Sequence, residues 1–157
     1  MGFYTAATFM PDQSVGYLVR RCHQLAQVAM EPMFARHGLS GMQWSALISI
    51  SLGAASTCAE LAREISYDRG ATTRLVDTLE AAGWLTRERA SDDRRVVKLA
   101  LTEEGADLAQ RVKVDVIALW NEWLGAFDRD DLAGLIDQLQ QLRDSLQAAA
   151  QTEEAAR

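Results

Sequence analysis

Residues 57–102 read TCAELAREISYDRGATTRLVDTLEAAGWLTRERASDDRRVVKLALT. The first four letters form a helix-capping pattern, with Thr57 at the start and Glu60 three residues later. Asp68 is placed to cap a second, longer helix, and Gly83 is placed to end it. A short helix, a tight connection and a longer helix that stops at a glycine have the spacing of a helix-turn-helix.

The hydrophobic period changes after this pair of helices. Residues 84–89 (WLTRER) and 95–101 (RVVKLAL) alternate roughly between apolar and polar side chains, and the polar residues 90–94 join them. Such a pattern predicts a β-hairpin, or wing, packed beside the helix-turn-helix. Thr102 is expected to cap the helix that follows.

Helical patterns flank this centre. After Gly38, Ser40 and Gln43 form a capping box for a helix. Its expected inward side chains are Trp44, Leu47, Ile48 and Leu52. A long helix is predicted from the hairpin to Phe127, and the Ala/Glu/Gln-rich tail of residues 148–157 is expected to fray. The first helix is predicted over residues 14–36, with an apolar face formed by Val15, Leu18, Cys22, Leu25, Ala29 and Met33.

These elements predict a mainly α protein with a small β-hairpin, in a single domain over residues 1–157. A winged helix-turn-helix region covers residues 40–102, and the helices of residues 14–36 and 103–147 form a dimerisation region. The terminal helices are apolar along one side and would expose large patches in a single chain. An isologous homodimer is the simplest way to cover them.

The composition is that of an ordinary globular protein, with 48% hydrophobic and 24% charged residues among 157. No run approaches the roughly 20 apolar residues that would span a bilayer, and the N-terminal residues lack a secretory signal pattern. Two cysteines are too few for a disulfide framework. We therefore expect a cytoplasmic protein with no membrane partner.

The net charge of −6 is unevenly distributed. Residues 57–102 hold eight Lys/Arg and eight Asp/Glu, so the other eight Lys/Arg and fourteen Asp/Glu lie in the flanks. Within residues 84–101, five basic residues outnumber three acidic ones. DNA binding depends on local basic groups near phosphates, so the acidic total is compatible with a DNA-binding centre without predicting one.

Four motifs in order resemble the MarR family of transcription regulators. Residues 93–102 (DRRVVKLALT) follow the pattern DxRxxxxxLT, with a glycine three residues later. Residues 38–40 (GLS) resemble the family's GLT, residues 73–80 (TRLVDTLE) resemble its TRLVDxLE, and residues 84–87 (WLTR) follow in register. The resemblance covers about the whole chain, and its most specific part is residues 59–105.

The resemblance implies a homodimeric winged-helix protein that binds double-stranded DNA and is not an enzyme. The longer helix of the helix-turn-helix would enter the major groove, and an arginine at the wing tip would enter the adjacent minor groove. Small ligands, often phenolic or aromatic acids, would bind between the DNA-binding and dimerisation regions and weaken DNA binding.

Candidate contacts to DNA cluster at the start of the longer helix, because that end of a groove-entering helix reaches base edges. Arg69 is suited to bidentate recognition of guanine, and Gly70 would allow a close approach. A solvated helix start is the alternative, in which Arg74 pairs with Asp68 or Asp77. The expected DNA-binding residues are Thr57, Arg69, Ala71, Thr72, Thr73, Arg74 and Arg94.

The wing supplies the last of these DNA-binding residues, Arg94. A guanidinium at Arg94 suits a narrow, electronegative minor groove. Asp93 and Arg95 are expected to stabilise the wing tip by a charge-assisted bond across the turn. For Arg87 and Arg89, contact with phosphates and simple solvation remain equally open.

Few residues in the sequence are candidates for binding a small ligand or a metal. Arg20, His23 and Trp44 are the candidates for an aromatic or phenolic effector. His23 and His37 lie 14 residues apart, which is not the spacing of a helical metal site, so neither a metal nor another cofactor is expected. Cys22 is interpreted as a small buried hydrophobe, and Cys58 as an inert thiol in the first turn of a helix.

Three functions compete at this point. The first is a ligand-responsive repressor that binds a pseudo-palindromic operator. The second is a protein-interaction adaptor that keeps a winged helix without DNA binding, since fold does not settle function. The third is a small enzyme or ligand carrier, which is disfavoured because the sequence has no phosphate-binding glycine loop and no nucleophile elbow.

Overall fold

The computed structural model describes residues 3–6, 9–89 and 96–155. Over these residues it confirms a mainly α architecture with one antiparallel two-stranded hairpin. After a short 3-10 turn at Pro11–Gln13, the elements are α1 (Val15–Arg36), α2 (Gly41–Ser51), α3 (Cys58–Glu64), α4 (Arg69–Ala81), β1 (Leu85–Arg89), β2 (Val97–Leu101), α5 (Glu103–Leu124) and α6 (Arg129–Ala155).

Local capping bonds set the helix boundaries in the centre of the chain. Ser40 and Gln43 form the predicted capping box, with the Ser40 backbone N–H donating to Gln43 Oε1 at 2.7 Å and the Gln43 N–H donating to Ser40 Oγ at 3.2 Å. Asp68 Oδ1 accepts the N–H of Ala71 at 3.0 Å and caps α4. Gly83 follows the end of that helix with φ +77°, a left-handed conformation that glycine adopts without a Cβ penalty.

The second predicted capping box is only half correct. Thr57 Oγ1 accepts the Glu60 N–H at 3.2 Å, as predicted. The Glu60 carboxylate, however, accepts from the backbone N–H and the hydroxyl of Ser56, one residue earlier, at 2.8 and 2.7 Å. The two donors of Ser56 satisfy the Glu60 carboxylate better than the single Thr57 N–H would. The bond from the Ser56 hydroxyl is also the main cause that lowers the pKa of Glu60.

The hairpin pairs Leu85 with Leu101 at its base and Arg89 with Val97 at its outer end. Its first strand starts one residue later than predicted, because the Trp84 N–H donates to the Leu79 carbonyl at 3.0 Å and so belongs to the C-terminal turn of α4. Trp84 packs against the core, as expected of an anchor for the wing.

The hairpin base also meets the start of α5. Thr102 caps this helix by accepting the Gly105 N–H on its hydroxyl at 3.0 Å. The same hydroxyl donates to the Gly83 carbonyl at 2.7 Å. The Thr102 N–H donates to the Trp84 carbonyl at 3.1 Å. These bonds join the end of α4, the hairpin and α5 within a few ångströms.

One continuous core supports these elements. Its members come from the C-terminal half of α1, from α2 to α4, from both strands and from α5. They include Met33, Phe34, Leu47, Leu61, Val76, Leu79, Leu85, Leu99, Leu108 and Val112. Leu52 was expected to face inward but is largely exposed, because it caps the C-terminus of α2 and lies beyond the packed turns.

The apolar face of α1 lies mostly in solvent within this single chain. Met33 is buried as predicted, but Val15, Leu18 and Leu25 are exposed. The interpretation of Cys22 as a buried hydrophobe is wrong for the chain by itself, because its thiol is exposed on the same face. Only the last turns of α1 pack against the core, so the rest of this face has no partner within the described part of the chain.

Two compact units divide the chain, Met1–Leu119 and Trp120–Arg157. The boundary falls within α5, so the helical region predicted over residues 103–147 contributes to both units. In the second unit, α6 continues to Ala155. The prediction of a frayed tail from residue 148 is therefore wrong, since its Ala, Gln and Glu residues are strong helix formers and no glycine or proline interrupts them.

No helix in the described ranges is long and apolar enough to cross a membrane.

Candidate nucleic-acid interface

The turn between α3 and α4 orients the longer helix. The Tyr67 N–H donates to the Ala62 carbonyl at 2.8 Å, and the Ser66 N–H donates to the Arg63 carbonyl at 3.2 Å. Ser66 has φ +51°, so a left-handed residue reverses the chain between the helices. The turn thus forms without glycine, and Asp68 starts α4 two residues later.

The N-terminal half of α4 has one buried and one exposed side. Arg69, Thr73 and Arg74 are exposed. Val76 and Leu79 are fully buried in the core and fix the rotation of the helix about its axis. The exposed residues present two guanidinium groups and a hydroxyl, which suits contact with phosphates and base edges.

Thr72 does not belong to this exposed side. Its side chain is fully buried, and its hydroxyl donates to the Asp68 carbonyl at 2.9 Å. The prediction that Thr72 contacts DNA is therefore wrong, because the 100° step per residue that exposes Thr73 turns Thr72 into the core. Thr73 remains accessible, although its hydroxyl donates to the Arg69 carbonyl at 3.0 Å.

Ala71 and Thr57 occupy less exposed positions. Ala71 is half-buried and lines a cleft beside α4. Thr57 is half-buried, and its Oγ1 already accepts the Glu60 N–H. Next to Ala71, a Cβ on Gly70 would lie 3.1 Å from Asp68 Oδ1, so a larger residue there would press on the cap of α4.

The Asp68 cap makes the start of α4 sensitive to acid. The pKa of Asp68 lies below its ordinary value of 3.8, chiefly because its carboxylate accepts the Ala71 N–H. A carboxyl group whose folded pKa is lowered adds stability above its unfolded pKa and loses that contribution as the pH falls through the folded pKa.

We therefore expect the stability advantage of the wild type over Asp68→Asn to be present at pH 6 and to vanish below the folded pKa. Asparagine caps helices well without a charge, so it isolates the titration from the cap. Denaturant unfolding of both proteins from pH 6 to about pH 2 measures the difference. A constant difference over this range would contradict the prediction.

Arg87, on β1, is held by two carboxylates of α4. Its Nη2 donates to Asp77 Oδ1 and its Nη1 to Glu80 Oε2, both at 2.6 Å. The bond to Asp77 is the main cause that raises the pKa of Arg87. The expectation of simple solvation is therefore wrong for Arg87, and contact with phosphates stays a prediction. The available signal was the i, i+3 spacing of the two acids, which places them on one face of α4.

The predicted wing-tip residues Asp93, Arg94 and Arg95 lie outside the described residues. The hairpin is described up to Arg89 and again from Val96. Arg89 is exposed on β1, and Lys98 is exposed on β2 opposite Glu88.

Two clefts flank the start of α2. One, of about 370 Å³, is lined by α1 residues and by Phe34 and Ser40 to Met42. The other, of about 450 Å³, lies between the start of α2 and α4, and its wall includes Tyr67 and Arg74. Neither cleft is lined by the three predicted effector residues, Arg20, His23 and Trp44.

Trp44 does not line the first cleft but contacts Phe34, which does. It stacks on Phe34 with ring centroids 5.7 Å apart, and its buried Nε1–H has no hydrogen-bond partner among the described residues. Arg20 instead lies over the Tyr17 ring, 5.5 Å from its centroid, and His23 is exposed on α1. The effector roles of Arg20, His23 and Trp44 stay predictions.

His37 has a structural partner. Its Nε2 lies 2.7 Å from Asp115 Oδ2, which ties the C-terminus of α1 to α5. In the ranges that the structure describes, no three His, Cys, Asp or Glu side chains are placed to hold a metal ion.

Comparison with known proteins agrees with this geometry. Residues 37–96 match a model of the MarR family. The multiple antibiotic resistance protein MarR of Escherichia coli is 30% identical over 97 residues, which are 62% of this chain and 67% of that protein.

Two solved structures share the fold. A mutant of E. coli MarR complexed with operator DNA superposes with a TM-score of 0.71 at 27% identity, covering 82% of this chain and 92% of that one. CouR from Rhodococcus jostii bound to p-coumaroyl-CoA superposes with a TM-score of 0.76 at 24% identity, covering 86% and 95%.

Proposed function

Because this chain belongs to the MarR family of transcription regulators, we propose that it is a repressor that binds a pseudo-palindromic operator as a homodimer and is released by a small aromatic or phenolic effector. The protein is a DNA-binding transcription regulator and not an enzyme. The symmetry, the direction of regulation and the effector are the proposed parts.

The exposed residues in the N-terminal half of α4 support the proposal that the protein binds an operator. Arg69, Thr73 and Arg74 are exposed, while Val76 and Leu79 are buried and anchor α4 in the core. A relative of 27% identity has been solved with operator DNA. We propose that α4 enters the major groove, with Arg69 on a base edge and Thr73 and Arg74 on bases or phosphates. Thr57, Ala71 and the wing-tip Arg94 would complete the surface.

The homodimer is supported by unpartnered apolar residues on two helices. On α1, Val15, Leu18, Leu25 and Val28 are exposed, and on α6, Leu135, Ile136, Leu139 and Leu146 are exposed. A soluble monomer rarely leaves such stripes open. A two-fold dimer would also present two copies of α4, which accounts for a pseudo-palindromic operator with half-sites about one helical turn apart.

We expect Arg69→Ala to weaken binding to the specific site by ~1–3 kcal/mol and to relax base preference at one position per half-site. Genomic fragments retained by the purified protein supply the operator, and footprinting defines it. Fluorescence anisotropy over a series of salt concentrations then compares wild type and variant. Arg143→Ala, which removes the same charge from α6, is the control and should leave the base preference unchanged.

The outcomes of this experiment separate the competing functions. A protein-interaction adaptor would retain no fragment and would show no steep dependence on salt. Protection of a single half-site without symmetry would contradict the dimeric operator. An unchanged base preference in Arg69→Ala would show that α4 does not use this side chain to recognise the sequence.

The effector proposal is supported by the clefts beside α2, the first of which is lined by Phe34, the ring on which Trp44 stacks. CouR, which has the same fold, was solved with an aromatic thioester. We expect aromatic acids or their thioesters to raise the melting temperature and to release the operator at matching concentrations. A panel in which none binds, while metals or peroxides release the DNA, would contradict this proposal.

A further inference from the structure

Arg87 joins the two parts of the molecule that are proposed to touch DNA. It lies on β1, the first strand of the wing, and both carboxylates that it binds lie on α4. The two arms of the guanidinium are used separately, with Nη1 on Glu80 and Nη2 on Asp77. A planar guanidinium that bridges two acids one helical turn apart restricts the orientation of the strand relative to the helix.

The connection between these elements is short but does not fix them alone. Only Ala82, Gly83 and Trp84 separate α4 from β1. Leu85 is buried and anchors the base of the strand. Arg87 lies two residues further along the same face of β1, so it holds the strand at a second point. The hairpin is also held through β2, where Leu99 is buried and its N–H donates to the Ser56 carbonyl at 2.8 Å, so Arg87 adds a direct side-chain link between β1 and α4 to these attachments.

Direct contact with phosphate is disfavoured by the local charge. One guanidinium faces two carboxylates, so the three side chains together carry a charge of about −1 at neutral pH. Such a group repels a phosphate. Its contribution to stability is also expected to be modest, because the Arg87 and Asp77 side chains are 27% and 56% exposed and exposed ion pairs contribute little to stability.

We propose that Arg87 is a positioning residue for DNA recognition, which sets the angle between α4 and the wing through Asp77 and Glu80 and raises operator affinity without touching DNA. This inference rests on the proposed function, in which α4 and the wing engage two grooves at once. Binding is tighter when both elements are already oriented, because less conformational freedom is lost on contact.

The first test is Arg87→Gln, which removes the charge and both bridges. We expect operator affinity to fall about tenfold, while the slope of log K against log salt stays the same. Loss of one phosphate contact from each subunit of the dimer would instead reduce that slope by about 1.8. Arg87→Lys keeps the charge but lacks the two-armed geometry, so an intermediate loss is expected. Thermal unfolding checks that each variant is folded at the binding temperature.

The second test removes the acids. Asp77→Ala with Glu80→Ala deletes two negative charges from a DNA-binding helix, so electrostatics alone predicts tighter binding. Positioning through Arg87 predicts weaker binding. In this background Arg87→Gln should change affinity by less than about twofold, because the bridges are already absent.

Two control substitutions each remove one charge of the same sign elsewhere. Arg89→Gln lies on the same face of β1, and its effect should add to that of the acid substitutions. Glu64→Ala removes an exposed acid from α3 and should not weaken binding. If Arg87→Gln does not fold, the lysine variant and the acid substitutions decide the question.

The results test this inference separately from the proposed function on which it rests. A wild-type protein that retains no DNA overturns both. Wild-type binding with an unaffected Arg87→Gln variant overturns the positioning role alone. A reduced salt slope, together with effects that add to those of the acid substitutions, would show that Arg87 contacts phosphate instead.

Discussion

Leu139→Lys is expected to convert the protein to a monomer and to lower its affinity for a two-half-site operator by about 100-fold or more. Leu139 lies in the middle of the apolar stripe of α6 and is 41% exposed in the single chain. In a monomer a lysine at this position would stay in water at little cost. In the proposed dimer the same lysine would place an unpaired charge between two apolar helices, where desolvation is costly.

The loss of DNA affinity follows from the loss of symmetry. A dimer that has bound one half-site holds its second copy of α4 at a high effective concentration near the other half-site. A monomer must bind each half-site independently. Sedimentation equilibrium at micromolar protein should give about twice the chain mass of 17.3 kDa for the wild type and the single mass for the variant.

Gln141→Lys is the matched control, because Gln141 is exposed on the opposite side of α6 from Leu139. This variant should remain dimeric and bind the operator as the wild type does. A Leu139→Lys protein that sediments as a dimer would show that α6 does not form the interface. A wild type that is monomeric at these concentrations would contradict the proposed assembly.

Gly105→Ala is expected to destabilise the fold by about 3 kcal/mol or more, by forcing a side chain into a closely packed backbone contact. A Cβ on Gly105 would lie 2.7 Å from the Trp84 carbonyl carbon and would overlap its carbonyl oxygen. The obstacle is backbone and cannot change rotamer. The Trp84 carbonyl also accepts the Thr102 N–H, so moving it breaks a bond that joins the hairpin to α5.

Gly134→Ala controls for the general effect of replacing a helical glycine. A Cβ there meets no atom within 4 Å, so alanine should stabilise α6 by about 0.5–1 kcal/mol. Denaturant unfolding of the two variants should therefore move in opposite directions. A Gly105→Ala protein as stable as the wild type would mean that the Trp84 backbone can shift away from the start of α5 without loss.

The motif that ends in Gly105 shows how much of the molecule the sequence predicts. The cap at Thr102, the cap at Asp68, the box at Ser40 and the stop at Gly83 all form as predicted. Each depends on hydrogen bonds or dihedral angles within about four residues of the chain. Backbone geometry fixes these relations before any tertiary packing occurs, so a sequence pattern is enough to locate them.

The candidate site was predicted with less precision. The sequence located α4 and its exposed Arg69, Thr73 and Arg74, but it also assigned DNA contact to Thr72. A list of consecutive polar residues does not specify which of them faces the core. The rotation of α4 is set by Val76 and Leu79 packing against the other helices, and that rotation buries Thr72.

By itself, then, the sequence determined the order of the elements, their boundaries near caps and glycines, and the class of protein. Tertiary structure decided which partners the long side chains take. Arg87 reaches acids seven and ten residues away, and His37 reaches Asp115 across 78 residues. Such pairs form only where packing brings separate elements together, because a flexible charged side chain has many possible partners in the sequence and the fold leaves few of them within reach.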